Sequence, residues 1–273
     1  MDFSTLITSA TAYSGLCCPG CSSQSFRKHG HCLGIQRYRC KKCGRSFNET
    51  VNTPLHWIHD KQKMTQYAGT LPEHLSISKT ATRIGISVST SFSWRHKILS
   101  SFMSLDDSPA KSPAGACQIT MPHSYKGKRT VPEKPAPASR TMLIADARGI
   151  PCLQLLPEKC TALKASQILA SSLNPSASIA CRPAHLLTRA LQMAGCASVE
   201  HRSIRKKLVL KVSTVQAQLE LWMARFNGVA TKYLQQYWNW FRAETSLSRS
   251  ADMFVNECFA HRRLKDYRIV RTG

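Results

Sequence analysis

The sequence contains few acidic residues. Asp and Glu together number 15 among 273 residues, against 38 Lys and Arg, which leaves a formal net charge of +23. So much unneutralised positive charge resists compaction unless a polyanion binds the chain, and nucleic acid is the usual polyanion. The composition therefore favours a nucleic-acid-binding protein. Association with the ribosome, or a basic surface without a specific partner, is the alternative.

The sequence also lacks the segments that direct a chain to membranes or to secretion. No apolar stretch approaches the ~18 residues that a membrane-spanning helix needs, and no long basic amphipathic helix is apparent. Residues 1–5, MDFST, lack the basic start and apolar middle of a secretory signal. We therefore expect no membrane partner and a cytoplasmic location, on the nucleoid in a bacterial cell. In that reducing compartment the 12 cysteines indicate metal ligands or free thiols rather than disulfides.

Changes of composition along the chain predict a multidomain α+β protein. Residues 16–50 contain six of the 12 cysteines, and residues 104–140 contain six of the 13 prolines. Breaks at residues 71–72 and at Gly85 divide the stretch 61–100 into short helices. The predicted order is a leader at 1–15, a zinc ribbon at 16–50, a helix-turn-helix domain at 61–102, a loop or linker with the first core strand at 104–140, an α/β core at 141–245 and a basic tail at 246–273.

Two C-x-x-C pairs predict a metal site. Cys18 and Cys21 are followed, after a gap of eighteen residues, by Cys40 and Cys43. Two residues between cysteines let a tight turn aim both thiolates at one ion, and a second pair completes a tetrahedron of sulfur ligands around Zn²⁺. Four thiolates leave no open coordination position, so the predicted zinc is structural and not catalytic. A redox dithiol is the alternative, although that chemistry requires a single C-x-x-C.

The segment between the two pairs alternates in polarity and predicts a hairpin that links them. Cys17 could replace Cys18 as a ligand, whereas residues 31–32 are expected in the hairpin without a role in binding the ion. Gly20 and Gly44 stand at turn positions that often need a positive φ. Such a segment is too small to fold on apolar burial alone, so the metal is expected to supply much of its folding free energy.

Residues 76–87, SISKTATRIGIS, predict a helix-turn-helix. Ser76 or Ser78 can cap a first helix, Gly85 can make the tight turn, and Ser87 or Ser89 can cap a second helix over residues 88–99. In a DNA-binding motif of this kind the N-terminal side chains of the second helix enter the major groove, and basic flanks hold phosphates. An ordinary helical hairpin is the alternative.

Helical spacing assigns the faces of the second predicted helix. The inward face is predicted to contain Val88, Phe92 and either Ile98 or Leu99, with Ser89, Thr90, Ser93 and Arg95 facing outward. The predicted DNA-contacting residues are Lys79, Ser89, Thr90, Ser93, Arg95 and Lys97. Trp57 and Trp94 are expected in the core rather than stacked on bases.

The last third of the chain combines an aromatic pattern with a basic one. Aromatic residues recur at helical spacing within residues 216–242 and predict a long aromatic helix packed in the interior. They are Trp222, Phe226, Tyr233, Tyr237 and Trp240. A basic run over residues 202–211 either contacts DNA phosphates or is solvated.

Several motifs together resemble one family of transposases. In chain order they read CPGC at 18–21, QRYRCKKCGRSF at 36–47, TPL at 53–55, IGISVST at 84–90, WRHK at 94–97, SYKGKR at 124–129 and FNGVATKYL at 226–234. This order, over residues 16–245, resembles bacterial insertion-sequence transposases of the family numbered fifteen-ninety-five. The resemblance implies a zinc ribbon and a helix-turn-helix that recognise the ends of the element. It also implies a ribonuclease-H-like core, in which carboxylates hold two Mg²⁺ ions for DNA cleavage and strand transfer.

The three catalytic positions of that family are not acidic in this chain. The resemblance puts Cys117 at the first position, Pro183 at the second and Ser213 at the third. A thiol is too soft for Mg²⁺, proline has no side-chain donor, and a serine hydroxyl has no charge to offset two cations. Asp146 stands in a predicted hairpin turn, where Asp is common for reasons of turn geometry. We therefore expect that the acidic triad is lost and that Mg²⁺ is not a cofactor.

The sequence thus predicts a transposase-family protein that binds double-stranded DNA at insertion-sequence ends and cannot catalyse transposition. Structural Zn²⁺ is the expected cofactor, no small-molecule substrate is expected, and a homo-oligomer is compatible with the sequence. One alternative is an active DDE-type transposase with unusual ligands, for example Asp146 or Glu200. The other is a structural zinc protein that binds RNA.

Overall fold

The structure is a computed structural model of the chain. It describes residues 16–32, 34–51, 53–104, 114–120, 140–146, 151–156, 160–173, 177–181, 185–198, 202–226, 229–247 and 251–259. The leader predicted at residues 1–15 and most of the linker predicted at residues 104–140 lie outside these ranges. The chain divides into two compact units, one formed by Met1–Ser104 with Leu247–Gly273 and the other by Leu105–Ser246. Both units combine helices with a small sheet, which confirms the mixed fold class.

A three-stranded antiparallel sheet lies near the start of the first unit. Its strands are β1 (Phe26–Cys32), β2 (Ile35–Cys40) and β3 (Ser46–Asn48), in the order β1-β2-β3. β1 and β2 form the hairpin predicted between the two cysteine pairs, with Phe26 opposite Cys40. The apolar cluster of this segment is small, with Cys18, Cys40, Phe47 and Val51 buried and Leu16, Cys21, Phe26 and Tyr38 partly buried against them. So few apolar side chains cannot hold the segment together alone, which is the situation in which small domains depend on a metal.

Three helices follow the sheet in the same unit. They are α1 (Lys61–Gly69), α2 (Ile77–Ile84) and α3 (Val88–Leu99). Each N-terminus is capped by a side-chain oxygen that accepts the backbone N–H three residues further on. The capping residues are Asp60, Ser76 and Ser87. The bounds predicted for the second helix of the helix-turn-helix are therefore confirmed, because the cap at Ser87 defines where it begins.

Both predicted helix breaks are also confirmed. Leu71–Glu73 forms a 3₁₀ turn with Pro72 near its start, where a missing N–H removes no intrahelical bond. Gly85 ends α2 in the left-handed conformation at φ 69°. The N–H of Ile86 then donates to the carbonyl of Ala81 at 3.0 Å and closes the end of the helix. A side chain at Gly85 would be disfavoured by this positive φ.

The second unit contains a five-stranded mixed sheet. Its strands are β4 (Ala114–Thr120), β5 (Arg140–Asp146), β6 (Pro151–Leu156), β7 (Ser178–Cys181) and β8 (Ala197–Ser198). The order across the sheet is β6-β5-β4-β7-β8. β4, β5 and β6 pair antiparallel, whereas β7 and β8 run parallel to β4. Asp146, predicted in a hairpin turn, is the last residue of β5 and pairs with Gly115, and the rest of the predicted turn lies outside the described residues.

The described residues of the second unit also form four helices, of which the first two lead into the parallel strands β7 and β8. They are α4 (Ala162–Ser172), α5 (His185–Met193), α6 (Arg202–Met223) and α7 (Leu234–Leu247). α4 and α5 precede β7 and β8, as parallel strands require, since they cannot be joined by a tight turn. α6 packs against β4, β5 and β7. Among the described residues, no helix is both long and apolar enough to cross a membrane.

The aromatic residues near the end of the second unit lie on two helices rather than on one. The predicted long aromatic helix is interrupted, because α6 ends at Met223 and a 3₁₀ turn at Thr231–Tyr233 precedes α7. Interior packing is confirmed for Trp222, Phe226, Tyr237 and Trp240, which are buried, with the Trp222 and Trp240 ring centroids 5.1 Å apart. Tyr233, in the 3₁₀ turn, is half-buried. The interruption lets the rings of two helices interdigitate.

The segment predicted as a basic tail begins with a packed helix. α8 (Ala251–Cys258) belongs to the first unit. Its Phe254 ring lies 5.5 Å from that of Phe102, and the hydroxyl of Ser101 donates to the carbonyl of Cys258 at 3.1 Å. Apolar contacts therefore hold this part of the tail on the first unit. Residues 260–273, with the tail's arginines, lie outside the described residues.

Candidate metal centre and helix-pair surface

The four predicted zinc ligands lie together. The sulfur atoms of Cys18, Cys21, Cys40 and Cys43 are all within 4.8 Å of one another. The Cys18 and Cys43 sulfurs are 3.4 Å apart, and those of Cys21 and Cys40 are 3.6 Å apart. Thiolates at a Zn–S distance of about 2.3 Å in a tetrahedron are separated by about 3.8 Å. The cluster therefore has the dimensions of a four-thiolate metal site and can hold an ion such as zinc.

Two similar turns build the site. In each, the sulfur of the first cysteine accepts a backbone N–H two residues later, from Gly20 to Cys18 at 3.4 Å and from Lys42 to Cys40 at 3.3 Å. Each turn ends with a left-handed residue directly after its second cysteine, Ser22 at φ 57° and Gly44 at φ 71°. The expectation of a positive φ is thus met at Gly44, whereas Ser22 and not Gly20 takes that conformation in the first turn.

Gly20 has a different role, which is to admit a neighbouring side chain. A Cβ at this position would lie 3.2 Å from Nε of Arg45. The absence of a side chain therefore lets the Arg45 guanidinium pack across the first turn.

The thiols differ in acidity, and the difference follows from their surroundings. The backbone N–H of Cys43, together with that of Lys42, lowers the pKa of Cys40 to about 6 against the opposing effect of burial. At Cys21 the N–H of Ser23 lowers the pKa, but burial and the three other thiols outweigh it and raise the pKa to about 12. The thiolate of Cys40 therefore forms much more easily than that of Cys21. Binding of a divalent cation favours the thiolate form of both.

The other cysteines and histidines of the segment are outside the cluster. Of the two adjacent cysteines, Cys18 and not Cys17 belongs to the cluster. Cys32 is exposed in β1, as is its neighbour His31, which agrees with the expectation that residues 31–32 do not bind the ion. Within the described ranges, no other group of three or more His, Cys, Asp or Glu residues is placed to hold a metal.

α2 and α3 pack through small polar residues. The buried hydroxyl of Ser91 donates to the carbonyl of Ile77 at 2.9 Å, and the hydroxyl of Tyr67 donates to the carbonyl of Ser91 at 2.9 Å. Ser91, Trp94 and Ile98 form the buried stripe of α3. These residues are three and seven positions apart, so they lie on one face of the helix. Because the first of them is a serine, a search for apolar residues at helical spacing does not find this face.

The face predicted to be buried at the start of α3 is exposed. Val88 is 53% exposed and Phe92 is 39% exposed, whereas Ile98 and Leu99 are fully buried as predicted. The error arose because Val88 and Phe92 are apolar while the residue at the true contact, Ser91, is polar. Instead of an apolar contact, Ser91 makes one hydrogen bond to Ile77 of α2 and accepts one from Tyr67 of α1.

Arg95 and Lys97 are buried and are not the outward DNA contacts that the sequence predicted. The Arg95 guanidinium donates from Nη2 to the carbonyl of Leu75 at 2.7 Å and to the hydroxyl of Thr80 at 3.2 Å. The Lys97 ammonium donates to the carbonyl of His56, and burial lowers the pKa of Lys97 to about 8. Both side chains therefore hold α3 against the segments that precede it.

The remaining predicted DNA contacts lie at the surface. Lys79 on α2 is exposed, as are Ser89 and Ser93 on α3. Thr90 is half-buried, and its hydroxyl lies 2.8 Å from that of the capping residue Ser87. The surface formed by Val88, Ser89, Phe92 and Ser93 is called the α3 exposed face below. From Trp94 onward α3 is buried, so the helix projects only its N-terminal two turns.

Trp57 is exposed and is not the core residue that the sequence predicted. Its side chain is 86% exposed and its φ is 63°, whereas Trp94 is buried as expected. The ring of Trp57 lies edge-on to that of His56 at 5.1 Å. A turn at residues 54–57, rather than any apolar periodicity, decides the exposure of this side chain.

In the second unit, two of the three residues that the resemblance assigns to catalytic positions lie in described elements. Cys117 is in β4, where the register pairs it with Cys181 at the end of the parallel strand β7. Pro183 follows two residues later and lies outside the described residues. Ser213 is in α6, and its hydroxyl donates to the carbonyl of Val209 at 3.0 Å. Arg205 donates from Nη2 to the carbonyl of Cys181 at 3.3 Å, which brings a positive charge to the end of β7.

Two carboxylates of this unit are engaged in local contacts. Glu244 accepts the indole N–H of Trp222 at 2.9 Å, and Glu220 accepts a side-chain N–H of Gln216 at 2.8 Å. The first bond joins α6 to α7, and the second lies within α6. Glu200, a substitute ligand in the active-enzyme alternative, lies outside the described residues.

The assignment of this chain to a function depends on the geometry above. Comparison with protein-family models, with curated proteins and with solved structures finds no match to the chain.

Proposed function

We propose that the protein binds double-stranded DNA, that it is related to insertion-sequence transposases, and that it recognises the ends of such an element without cutting them. One observation carries the proposal: a four-cysteine cluster and a capped helix pair share one unit, and the second helix, α3, exposes its N-terminal two turns. In a helix-turn-helix those turns are the part that enters the major groove.

The charge of this unit supports a polyanionic partner. Residues 16–51 contain seven Lys and Arg against a single acid, Glu49, and residues 53–104 contain six against two. Most of the basic side chains of the ribbon are exposed, namely Arg27, Lys28, Arg39, Lys41, Lys42 and Arg45. Positive side chains spread over a small surface are typical of proteins that neutralise backbone phosphates.

Zinc is the ion that we propose for the cysteine cluster. The residues that would hold it are Cys18, Cys21, Cys40 and Cys43, and four sulfur donors at tetrahedral separations favour a soft or borderline cation. Bound zinc would fold the ribbon and present its basic side chains. With all four coordination positions filled by sulfur, the site would have no catalytic role.

The second unit supports relationship to a nuclease core and also supports loss of its activity. Antiparallel strands on one side of β4 and helix-connected parallel strands on the other are the arrangement of ribonuclease-H-like folds. Under this relationship the first two catalytic positions would be occupied by Cys117, in β4, and by Pro183, which lies outside the described residues. Neither residue offers a charged oxygen, and the nearby guanidinium of Arg205 disfavours cations further.

A binding-site selection tests the proposal. The full chain, loaded with zinc, is expected to enrich one sequence from a random duplex library and to bind it about 10³-fold or more tightly than unrelated duplex at the same salt. Lys79→Gln should weaken binding of all duplexes alike. It should also reduce the slope of log affinity against log salt concentration by about one, the effect of losing one phosphate contact. The control is Lys164→Gln, which removes an equally exposed lysine from α4 of the second unit.

Two outcomes would contradict the proposal. Tighter binding to single-stranded RNA than to any duplex DNA at matched salt would indicate the RNA-binding alternative. Cleavage or strand transfer of the selected duplex in Mg²⁺ or Mn²⁺ would show that carboxylates elsewhere, Asp146 among them, have rebuilt a catalytic site. Mutation of Asp146 to Asn should then abolish that activity.

A further inference from the structure

The α3 exposed face carries no side chain of the kind that reads guanine or adenine. Val88 and Phe92 lie four residues apart on one side of the helix, and Ser89 and Ser93 lie beside them with the same spacing. Guanine is recognised mainly by the paired donors of Arg or by Lys, and adenine by the amide of Asn or Gln. The one Arg and one Lys of α3 are both directed into the interior, where Arg95 and Lys97 bind backbone carbonyls.

The apolar residues of this face match a different feature of the major groove. Thymine is the base that presents a methyl group there, and this methyl is recognised by apolar contact, including contact with phenylalanine. Val88 and Phe92 are exposed although α3 has buried apolar residues further along. The Phe92 ring rests on that of His96, with centroids 4.4 Å apart, so its position on the helix is supported from one side.

The surroundings of the face suit DNA rather than an apolar protein partner. Lys79 on α2 is exposed, and Lys63 on α1 donates to the carbonyl of Gly85 at 3.4 Å, in the turn that leads into α3. The two acids of residues 53–104 are engaged: Glu73 pairs with Arg83, and Asp60 caps α1. Lys63 and Lys79 can contact DNA phosphates, while the short apolar strip of Val88 and Phe92 can contact methyl groups in the groove.

We propose that Val88 and Phe92 contact the 5-methyl groups of thymines in the major groove, so that the recognition sequence is specified by thymine methyls rather than by guanine contacts. This inference rests on the DNA-binding function proposed above. Ser89 and Ser93 complete the face with short hydroxyls, which can bond to either kind of base edge and add little discrimination.

Replacement of thymine by deoxyuridine tests the inference, because it removes the methyl group alone and changes nothing in the minor groove. The full zinc-loaded chain is titrated by fluorescence anisotropy against its selected duplex and against copies with deoxyuridine at one position at a time. We expect one or more positions at which affinity falls about fourfold, the value of burying one methyl-sized group. Unchanged affinity at every position would overturn the inference.

Variants assign the effect to the two side chains. Phe92→Ala and Val88→Ala should each bind the thymine duplex more weakly and lose the sensitivity to deoxyuridine at one position. Lys79→Gln is the control and should weaken both duplexes equally. Because Val88 and Phe92 are exposed, their variants should keep the circular dichroism and zinc content of the wild type. Sensitivity to deoxyuridine that persists in both alanine variants would also overturn the inference.

The two proposals fail in different ways. Enrichment of a duplex whose affinity ignores deoxyuridine would leave the DNA-binding function standing and refute the methyl contacts. Failure to enrich any duplex would refute the DNA-binding function, and the methyl contacts with it.

Discussion

Replacement of Arg95 by alanine should destabilise the first unit without removing a DNA contact. Arg95 is 2% exposed, and its guanidinium donates from Nη2 to the carbonyl of Leu75 and to the hydroxyl of Thr80. Without Arg95 both acceptors lose a donor, and a hydrogen bond from a charged group is worth about 1.5–3 kcal/mol. Release of a buried charge from its desolvated site returns part of that free energy. We expect the unfolding free energy of the helix pair to fall by about 2–4 kcal/mol.

Hydrogen exchange measured by mass spectrometry reports on the helix pair separately from the second unit. Amides of residues 77–99 should exchange roughly 30- to 900-fold faster in Arg95→Ala, since each 1.4 kcal/mol is tenfold. The control is Arg83→Ala, because Arg83 is an exposed arginine that pairs with the exposed Glu73. Loss of such a surface pair costs about 0–1 kcal/mol. Arg95→Met, which keeps most of the aliphatic volume, separates lost packing from lost hydrogen bonds.

Either of two results would refute this structural role of Arg95. Exchange of residues 77–99 that stays within about threefold of the wild type in Arg95→Ala would show that the guanidinium contributes nothing to the fold. A tenfold loss of duplex affinity at low temperature, with unchanged exchange, would show instead that Arg95 faces DNA. In that case the burial assigned to α3 is wrong.

Further predictions concern the metal, the titration of a buried lysine and a turn. Cys40→Ser should abolish zinc binding in a metal-release assay and the exchange protection of β1 and β2, whereas Cys32→Ser, at an exposed cysteine, should keep one zinc per chain. Burial lowers the pKa of Lys97 to about 8 from 10.5, so the unfolded chain binds more protons between those values. Stability should therefore rise with pH over that interval in the wild type, and urea titrations should show a smaller rise in Lys97→Met. Gly85→Ala should cost about 1–2 kcal/mol, because φ is 69° there. An equal cost in Gly69→Ala, where φ is ordinary and space is open, would contradict that explanation.

Local chemistry made several features predictable. The cysteine pairs predicted their own cluster, because each C-x-x-C turn is a property of four consecutive residues and sulfur geometry then limits how two pairs can meet. Ser87 and Gly85 predicted the start of α3 and the end of α2 for a similar reason, since caps and left-handed turns depend on neighbouring residues. The left-handed conformation of Ser22 could also have been predicted, because Ser22 directly follows Cys21 just as Gly44 directly follows Cys43.

The faces of α3 were not predictable from the same kind of pattern. Five apolar residues on a helix of 12 allow more than one apolar stripe, and the stripe through Val88 and Phe92 looked more hydrophobic than the true one through Ser91. A serine can occupy a helix contact when it finds a hydrogen-bond partner on the adjacent helix. That partner, the carbonyl of Ile77, is fourteen residues away in the sequence.

The sequence by itself determined the thiol cluster, the bounds of α3, the end of α2 and the excess of positive charge, because each follows from residue types or from contacts within a few residues. Only the tertiary structure decided which cations remain available to a partner. Arg95 and Lys97 reach backbone carbonyls at Leu75 and His56, 20 and 41 residues earlier in the chain. No periodicity encodes such a pairing, since it exists only once the helices have packed. The same packing exposes Val88 and Phe92, and it leaves the projecting turns of α3 apolar rather than basic.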